Sequence, residues 1–199
     1  MSLETLAALV VFAFVTSVTP GPNNFMLLAS GVNFGFRRTI PHMTGIFVGF
    51  VALLLAVGMG LGAVLLAYPA LETALKLAGG AYLLYLAWKI ASSRSLGKGG
   101  QAGARPLTLL EAAAFQWVNP KAWVMAVSAM ALYTDAERPL FSVVVVAAVF
   151  GLTNYPSVSI WTGFGQALRG FLSEPRRLKA FNIAMGALLV ATLPLMIAV

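Results

Sequence analysis

Apolar residues dominate the chain in six long runs, near 3–34, 40–67, 72–91, 107–133, 139–167 and 179–198, separated by short polar or basic stretches. Each run approaches the roughly 20 mainly apolar residues that a helix needs to cross a hydrocarbon core of about 30 Å. The pattern predicts an all-α membrane protein with six transmembrane helices, forming a single transmembrane domain over 1–199. Composition agrees: 60% of residues are hydrophobic, 10% are charged and the mean hydropathy is +0.89. A soluble domain needs a far more polar surface, so the lipid bilayer is the expected solvent and partner. The opening Met1-Ser2-Leu3-Glu4 places an acid, and no Lys or Arg, ahead of the first run. That is unlike a cleaved secretory signal, and the first run is expected as a helix of the mature protein.

Charge adds topology. A net charge of +7 would suggest nucleic acid in a soluble protein, but the basic residues sit in alternate connections: around Arg37-Arg38, from Lys89 to Arg105, and from Arg169 to Lys179. The intervening connections, 68–72 and 134–138, carry three of the six acids and a single Arg. By the positive-inside rule the basic loops face the cytoplasm, both termini face outward, and no nucleic-acid partner is implied. The Gly/Ser-rich stretch 92–106 reads as a basic cytoplasmic linker dividing half-repeats of about 1–91 and 107–199. Its Gly97-Lys98 pair lacks the flanking residues of a phosphate-binding loop. With no cysteine, disulfides, thiolate metal sites and paired-thiol redox chemistry are excluded.

Three helices per half make the second half enter the membrane from the opposite side, the arithmetic of an inverted repeat. The first helix of each half is also interrupted, by Thr19-Pro20-Gly21-Pro22-Asn23-Asn24 and by Asn119-Pro120-Lys121. Proline lacks the amide hydrogen and collides with the preceding turn, so neither element continues as an unbroken helix. Irregular backbone at membrane depth is tolerated only where protein buries it or where it lines a wet cavity. Each proline stands where a half-helix would restart, and Asn119 is placed to cap the second. Two half-helix N-termini would then aim partial positive charge inward, a site for an anionic group such as a carboxylate. Lys121 lies about a dozen residues, roughly 18 Å, from either end of its run, too deep to snorkel out. A charge there costs at least about 2.5 to 3.5 kcal/mol, so it should meet a partner or a substrate. The competing reading is a pair of structural kinks, the first closed by its two Asn side chains.

Thr153-Asn154-Tyr155-Pro156-Ser157 is a third polar interruption, mid-span in the fifth run, that either lines the same cavity or bonds a neighbouring helix. Gly45 with Gly49, and Gly58 with Gly62, have the small-residue spacing of close helix packing, within the bundle or between copies in a homo-oligomer. No acid lies deep within a span. Glu111 and His42 are the proton-coupling candidates, although a single His without an identified relay partner is more often interfacial.

The runs Thr19 through Asn24, Leu77-Ala78-Gly79-Gly80-Ala81-Tyr82-Leu83-Leu84-Tyr85-Leu86-Ala87-Trp88, and Asn119-Pro120-Lys121-Ala122-Trp123 resemble the signatures of the LysE/RhtB amino-acid exporters, over essentially the whole chain. The resemblance implies a bacterial inner-membrane protein that exports amino acids, generally by the proton motive force. It puts the family's helix breaks on the positions singled out above. Two features depart from the family pattern: Pro41-His42 at the start of the second helix, and the Asn154/Pro156 pair.

The expected function is therefore secondary-active export of an amino acid or close derivative by alternating access. The substrate-binding candidates are Thr19, Gly21, Asn23, Asn24, Asn119, Lys121 and Asn154. No catalytic residue, metal or cofactor is expected. A metal carrier should cluster acidic, Met or His ligands at depth, and an intramembrane enzyme needs paired aspartates or His-Glu-x-x-His, which the sequence lacks. Export of another solute, such as a metal cation or an inorganic anion, and a non-transporting membrane scaffold remain the alternatives.

Overall fold

The structure, a computed structural model, describes residues 1–94, 96 and 105–194, apart from the side chain of Leu66. Its helices are α1 (Leu3–Val18), α2 (Pro22–Phe34), α3 (Phe36–Ala56), α4 (Gly62–Ala67), α5 (Pro69–Ala91), α6 (Leu109–Gln116), α7 (Pro120–Tyr133), α8 (Pro139–Leu168) and α9 (Pro175–Ala191). No strand occurs among the described residues. The chain is all-α, and its helices follow the apolar runs. Most of the linker expected over 92–106, and the end of the run expected over 179–198, lie outside the described residues.

Local chemistry sets the boundaries. Ser2 accepts a hydrogen bond from the Thr5 amide at the start of α1, and Thr108 and Glu111 form a reciprocal capping box on α6. Helices α2, α5, α7, α8 and α9 each begin on a proline, where the missing N–H has no intrahelical partner to lose. Pro156 does not end α8, which continues through it from Pro139 to Leu168. The polar stretch 153–157 thus stays within one helix that carries its proline, as packing on neighbouring helices permits. Between α3 and α4 a π-helical turn over Val57–Leu61 contains Gly60 at φ 106°.

By length and composition, Phe36–Leu65 and Pro139–Leu168 can cross a membrane, and α1 with α2, bent by 57° at their break, counts as a third if the bent pair is one span and not a re-entrant loop. The outer surface is apolar: Leu77, Leu110, Leu132, Leu140 and Leu152 are all exposed. That is the reverse of a soluble bundle, and it suits contact with acyl chains.

The helices pack in a crossed pattern: α1 and α2 lie against α8, α3 against α6 and α8, and α5 against α9. Glycines permit the closest approaches. A Cβ on Gly31 would stand 2.3 Å from the Thr162 carbonyl oxygen, and one on Gly165 would stand 2.3 Å from that of Leu28. On the other flank, Gly45 and Gly49 abut the α6 backbone at Leu109 and Ala113. Those small-residue spacings thus serve the bundle itself, as does Gly58, which meets Val143 and Met130. The main core joins Leu9, Phe50 and Leu54 to Ala126, Val146 and Phe150. It is shared between the two halves.

Candidate functional site

Pro20 and Pro22 deny hydrogens to the last turn of α1, so its carbonyls must find other donors. The Thr19 hydroxyl donates to the Thr16 carbonyl at 3.0 Å. The Asn24 side-chain amide donates to the Ser17 carbonyl at 2.9 Å and the Thr19 carbonyl at 2.7 Å. From α8, the Trp161 indole N–H donates to the Val18 carbonyl at 3.0 Å. Lys121, in the first turn of α7, supplies the rest. Its ammonium lies 2.6 Å from the Thr19 carbonyl oxygen, 2.9 Å from the Thr19 hydroxyl and 3.3 Å from the Pro20 carbonyl oxygen. Three hydrogens thus meet three oxygens at a helix C-terminus, the end that favours a cation.

The second break is built differently. Asn119 caps α7 through its side-chain oxygen, which accepts from the Lys121 amide at 3.2 Å. The Trp123 indole donates to the Trp117 carbonyl at 2.8 Å. Gln116, fully buried at the end of α6, reaches across to the first break. The Asn23 amide donates to Gln116 Oε1 at 2.8 Å, and the Gln116 amide donates back to Asn23 Oδ1 at 3.2 Å. The two breaks therefore face one another.

Between them lies a cavity lined by Gly21, Asn23, Asn24, Asn119, Lys121 and Asn154, with Ser17, Gln116 and the apolar walls Phe50, Met125 and Val158. Six of the seven substrate-binding candidates are thus together, and the seventh, Thr19, is bonded to Lys121 beside them. Gly21 is favoured here by space and not by backbone angle: its φ of 178° is ordinary extended backbone, but a Cβ would lie 2.7 Å from Lys121 Cδ, so the lysine side chain would have to shift. The α2 N-terminus at Gly21 carries no side-chain cap. Asn154 donates a long 3.4 Å bond to Ser17 Oγ, while its buried Oδ1 accepts from nothing. The cavity is tight: the centre of a water-sized sphere explores only ≈ 30 Å³ of it.

The two proton-coupling candidates are not in this cavity. Glu111 takes a bidentate pair of hydrogen bonds from Arg105 at 2.6 and 2.7 Å, besides capping α6. That carboxylate holds the Arg105 guanidinium more firmly protonated than usual, chiefly through the hydrogen bond. His42 is buried in α3, and neither ring nitrogen has a partner.

Sequence reasoning passed over Gln116, Ser17 and Trp161. Gln116 and Ser17 stood out only as polar residues within apolar runs, and the Trp161 indole, one turn beyond Ser157, carried no signal that it would bond the distant Val18 carbonyl.

A family model described as LysE type translocator matches residues 14–193. A cysteine/O-acetylserine efflux protein of Escherichia coli (strain K12) is 33% identical over 192 residues, covering 96% of each chain. Another of the same description, from Shigella flexneri, is 34% identical over 187 residues, covering 93% of each. No solved structure matches the chain.

Proposed function

This chain belongs to the LysE type translocator family, and on that footing we propose that it exports a small amino acid or a close derivative across the bacterial inner membrane. It is a transporter, not an enzyme. The relatives named for cysteine and O-acetylserine efflux make small polar amino acids the first candidates here.

The observation that carries the reading is the pairing, in one cavity, of cationic and amide donors with an orphaned acceptor. The α-carboxylate of the solute takes the uncapped amides at the start of α2 and sits in the field of the Lys121 ammonium, whose own hydrogens stay on Thr19 and Pro20. Its α-ammonium group takes Asn154 Oδ1, whose lone pairs are otherwise unsatisfied. An inorganic anion would use the donors and leave that acceptor empty. A metal cation would be repelled by Lys121.

The cavity admits water but not an amino acid, so loading requires the walls to part. Alternating access between two inverted three-helix halves meets that need. The crossed packing supports it: the first span of one half lies on the second span of the other, reciprocally, and the third spans lie together. Such reciprocity is what a two-fold axis produces. In this arrangement six spans put both termini outside and the basic loops in the cytoplasm, with the proton motive force as the drive.

Inside-out vesicles carrying the protein should show saturable uptake of one or a few labelled amino acids, with cysteine and O-acetylserine in the panel. Asn119→Ala and Lys121→Ala at matched expression should abolish it. Absence of uptake for every amino acid under an imposed proton gradient would refute the reading.

A further inference from the structure

A second cavity, of about 470 Å³, lies beyond the broken-helix site and is unused by the mechanism above. It is lined by Ser30 and Asn33 of α2, His42 of α3, Lys89 and Arg94 at the end of α5, and Arg105 ahead of α6. Ser30 and Asn33 are committed: Ser30 bonds the Thr39 hydroxyl at 2.8 Å, and Asn33 exchanges amide bonds with Asn182 of α9 at 2.8 and 3.2 Å. His42 is not. It is 2% exposed, it lines the cavity, and both of its nitrogens lack partners. A buried polar group left so costs free energy that a ligand bond would recover.

The charges around it are lopsided. Lys89, Arg94 and Arg105 are on the wall, and against them stands one acid, Glu111, already chelated by Arg105. Basic residues at a cytoplasmic rim follow from topology alone, but topology does not explain a buried imidazole with nothing to bind. The cavity is also in register with the first one. Asn23, Met26, Ser30 and Asn33 recur on one face of α2, so that face runs from the broken-helix cavity to this one over about 15 Å.

We infer that this second cavity is a binding site for the carboxylate of a small solute, which His42 receives by hydrogen bond while Lys89 and Arg94 supply the attracting charge. It is the vestibule from which the solute passes along α2 to Lys121. The identity of the natural solute rests on the export reading, but the site does not require transport to be tested.

The chain has no cysteine, so a single introduced thiol reports cleanly. The full chain in lipid nanodiscs, with both faces open to reagent, is given Ser30→Cys inside the cavity or Ser93→Cys at its mouth. Ala29→Cys is the second interior reporter should Ser30→Cys fail to fold. Each is modified by a sulfonate-bearing and by a trimethylammonium-bearing methanethiosulfonate, and the ratio of rates cancels the reactivity of the thiol itself. The interior thiol should prefer the sulfonate by about tenfold, and Lys89→Gln with Arg94→Gln should bring the ratio within about twofold of unity. O-acetylserine should slow the sulfonate reaction, and His42→Phe should raise the concentration needed by about fivefold or more, the worth of one hydrogen bond.

An inert interior thiol beside a reactive Ser93→Cys, or equal rates for the two reagents, would overturn the site. Sulfonate preference and protection that persist while every amino acid fails in the vesicle assay would instead retain the site and discard the export reading.

Discussion

Lys121 Nζ and the carbonyl oxygen of Thr19 are 2.6 Å apart although 102 residues separate them in sequence. The contact ties the start of α7 to the frayed end of α1, so the same ammonium that faces the cavity also closes a break. Lys121→Met keeps the aliphatic stem and removes the charge. It removes the charge-assisted hydrogen bonds to Thr19 and Pro20, a loss of about 1 to 3 kcal/mol. The apparent unfolding midpoint in detergent should fall by roughly 2 to 12 °C, and uptake should be lost even at temperatures where the variant is folded.

Gly21→Ala should act through Lys121 rather than through the backbone. Its extended φ suits any residue, but the new methyl would meet the lysine stem at 2.7 Å. Overpacking of this kind costs about 1 to 3 kcal/mol. The check is a pair of variants: Gly21→Ala should impair uptake at near-normal expression, and it should cost less stability in a Lys121→Ala background than in the wild type.

Asn23 and Gln116 exchange two amide bonds between the breaks. A double-mutant cycle with Asn23→Ala and Gln116→Ala, read by thermal unfolding, should give a coupling of about 0.6 to 2 kcal/mol, the range for polar contacts between membrane helices. Additive losses would mean that the two amides do not hold each other.

Gly31→Ala and Gly163→Ala make a matched comparison. The first puts a methyl 2.3 Å from the Thr162 carbonyl oxygen, where α2 and α8 touch, and the second meets nothing within 4 Å. Gly31→Ala should lower yield of folded protein sharply, while Gly163→Ala should be neutral or stabilising by up to about 1 kcal/mol through helix propensity.

Gly60→Ala isolates strain from packing. No atom lies within 4 Å of the added carbon, yet φ is 106°, a region that costs an L-residue about 1 to 3 kcal/mol. Thermal unfolding of this variant should show that cost, with the π turn of Val57–Leu61 as its site.

How far the sequence alone could see follows from the range of each signal. Proline and glycine act on their own turns, so the breaks at Thr19–Asn24 and Asn119–Lys121 were legible, as were the proline helix starts. A cationic residue too deep to snorkel announced that Lys121 needs partners, though not that they would be the carbonyls of Thr19 and Pro20. Asn24 was legible as polar and central, but its bonds to Ser17 and Thr19 depend on how sharply α2 turns back on α1. Asn154 and Pro156 were legible as a polar stretch within one span, and α8 runs through Pro156 unbroken, but which neighbours that stretch would meet depends on how α8 packs. Gln116 and Trp161 act across the bundle, and no local pattern encodes which distant carbonyl or amide a side chain will meet.

The glycine crossings join the two halves rather than closing either one: Gly31 with Gly165, and Gly45 and Gly49 with Leu109 and Ala113. The core from Leu9 to Phe150 is likewise split between them. Each half is then a template for the other, with its own seam left open when alone. Two separately synthesised fragments, cut between α5 and α6, would have every reason to find each other in the bilayer, and the covalent connection would matter chiefly for stoichiometry.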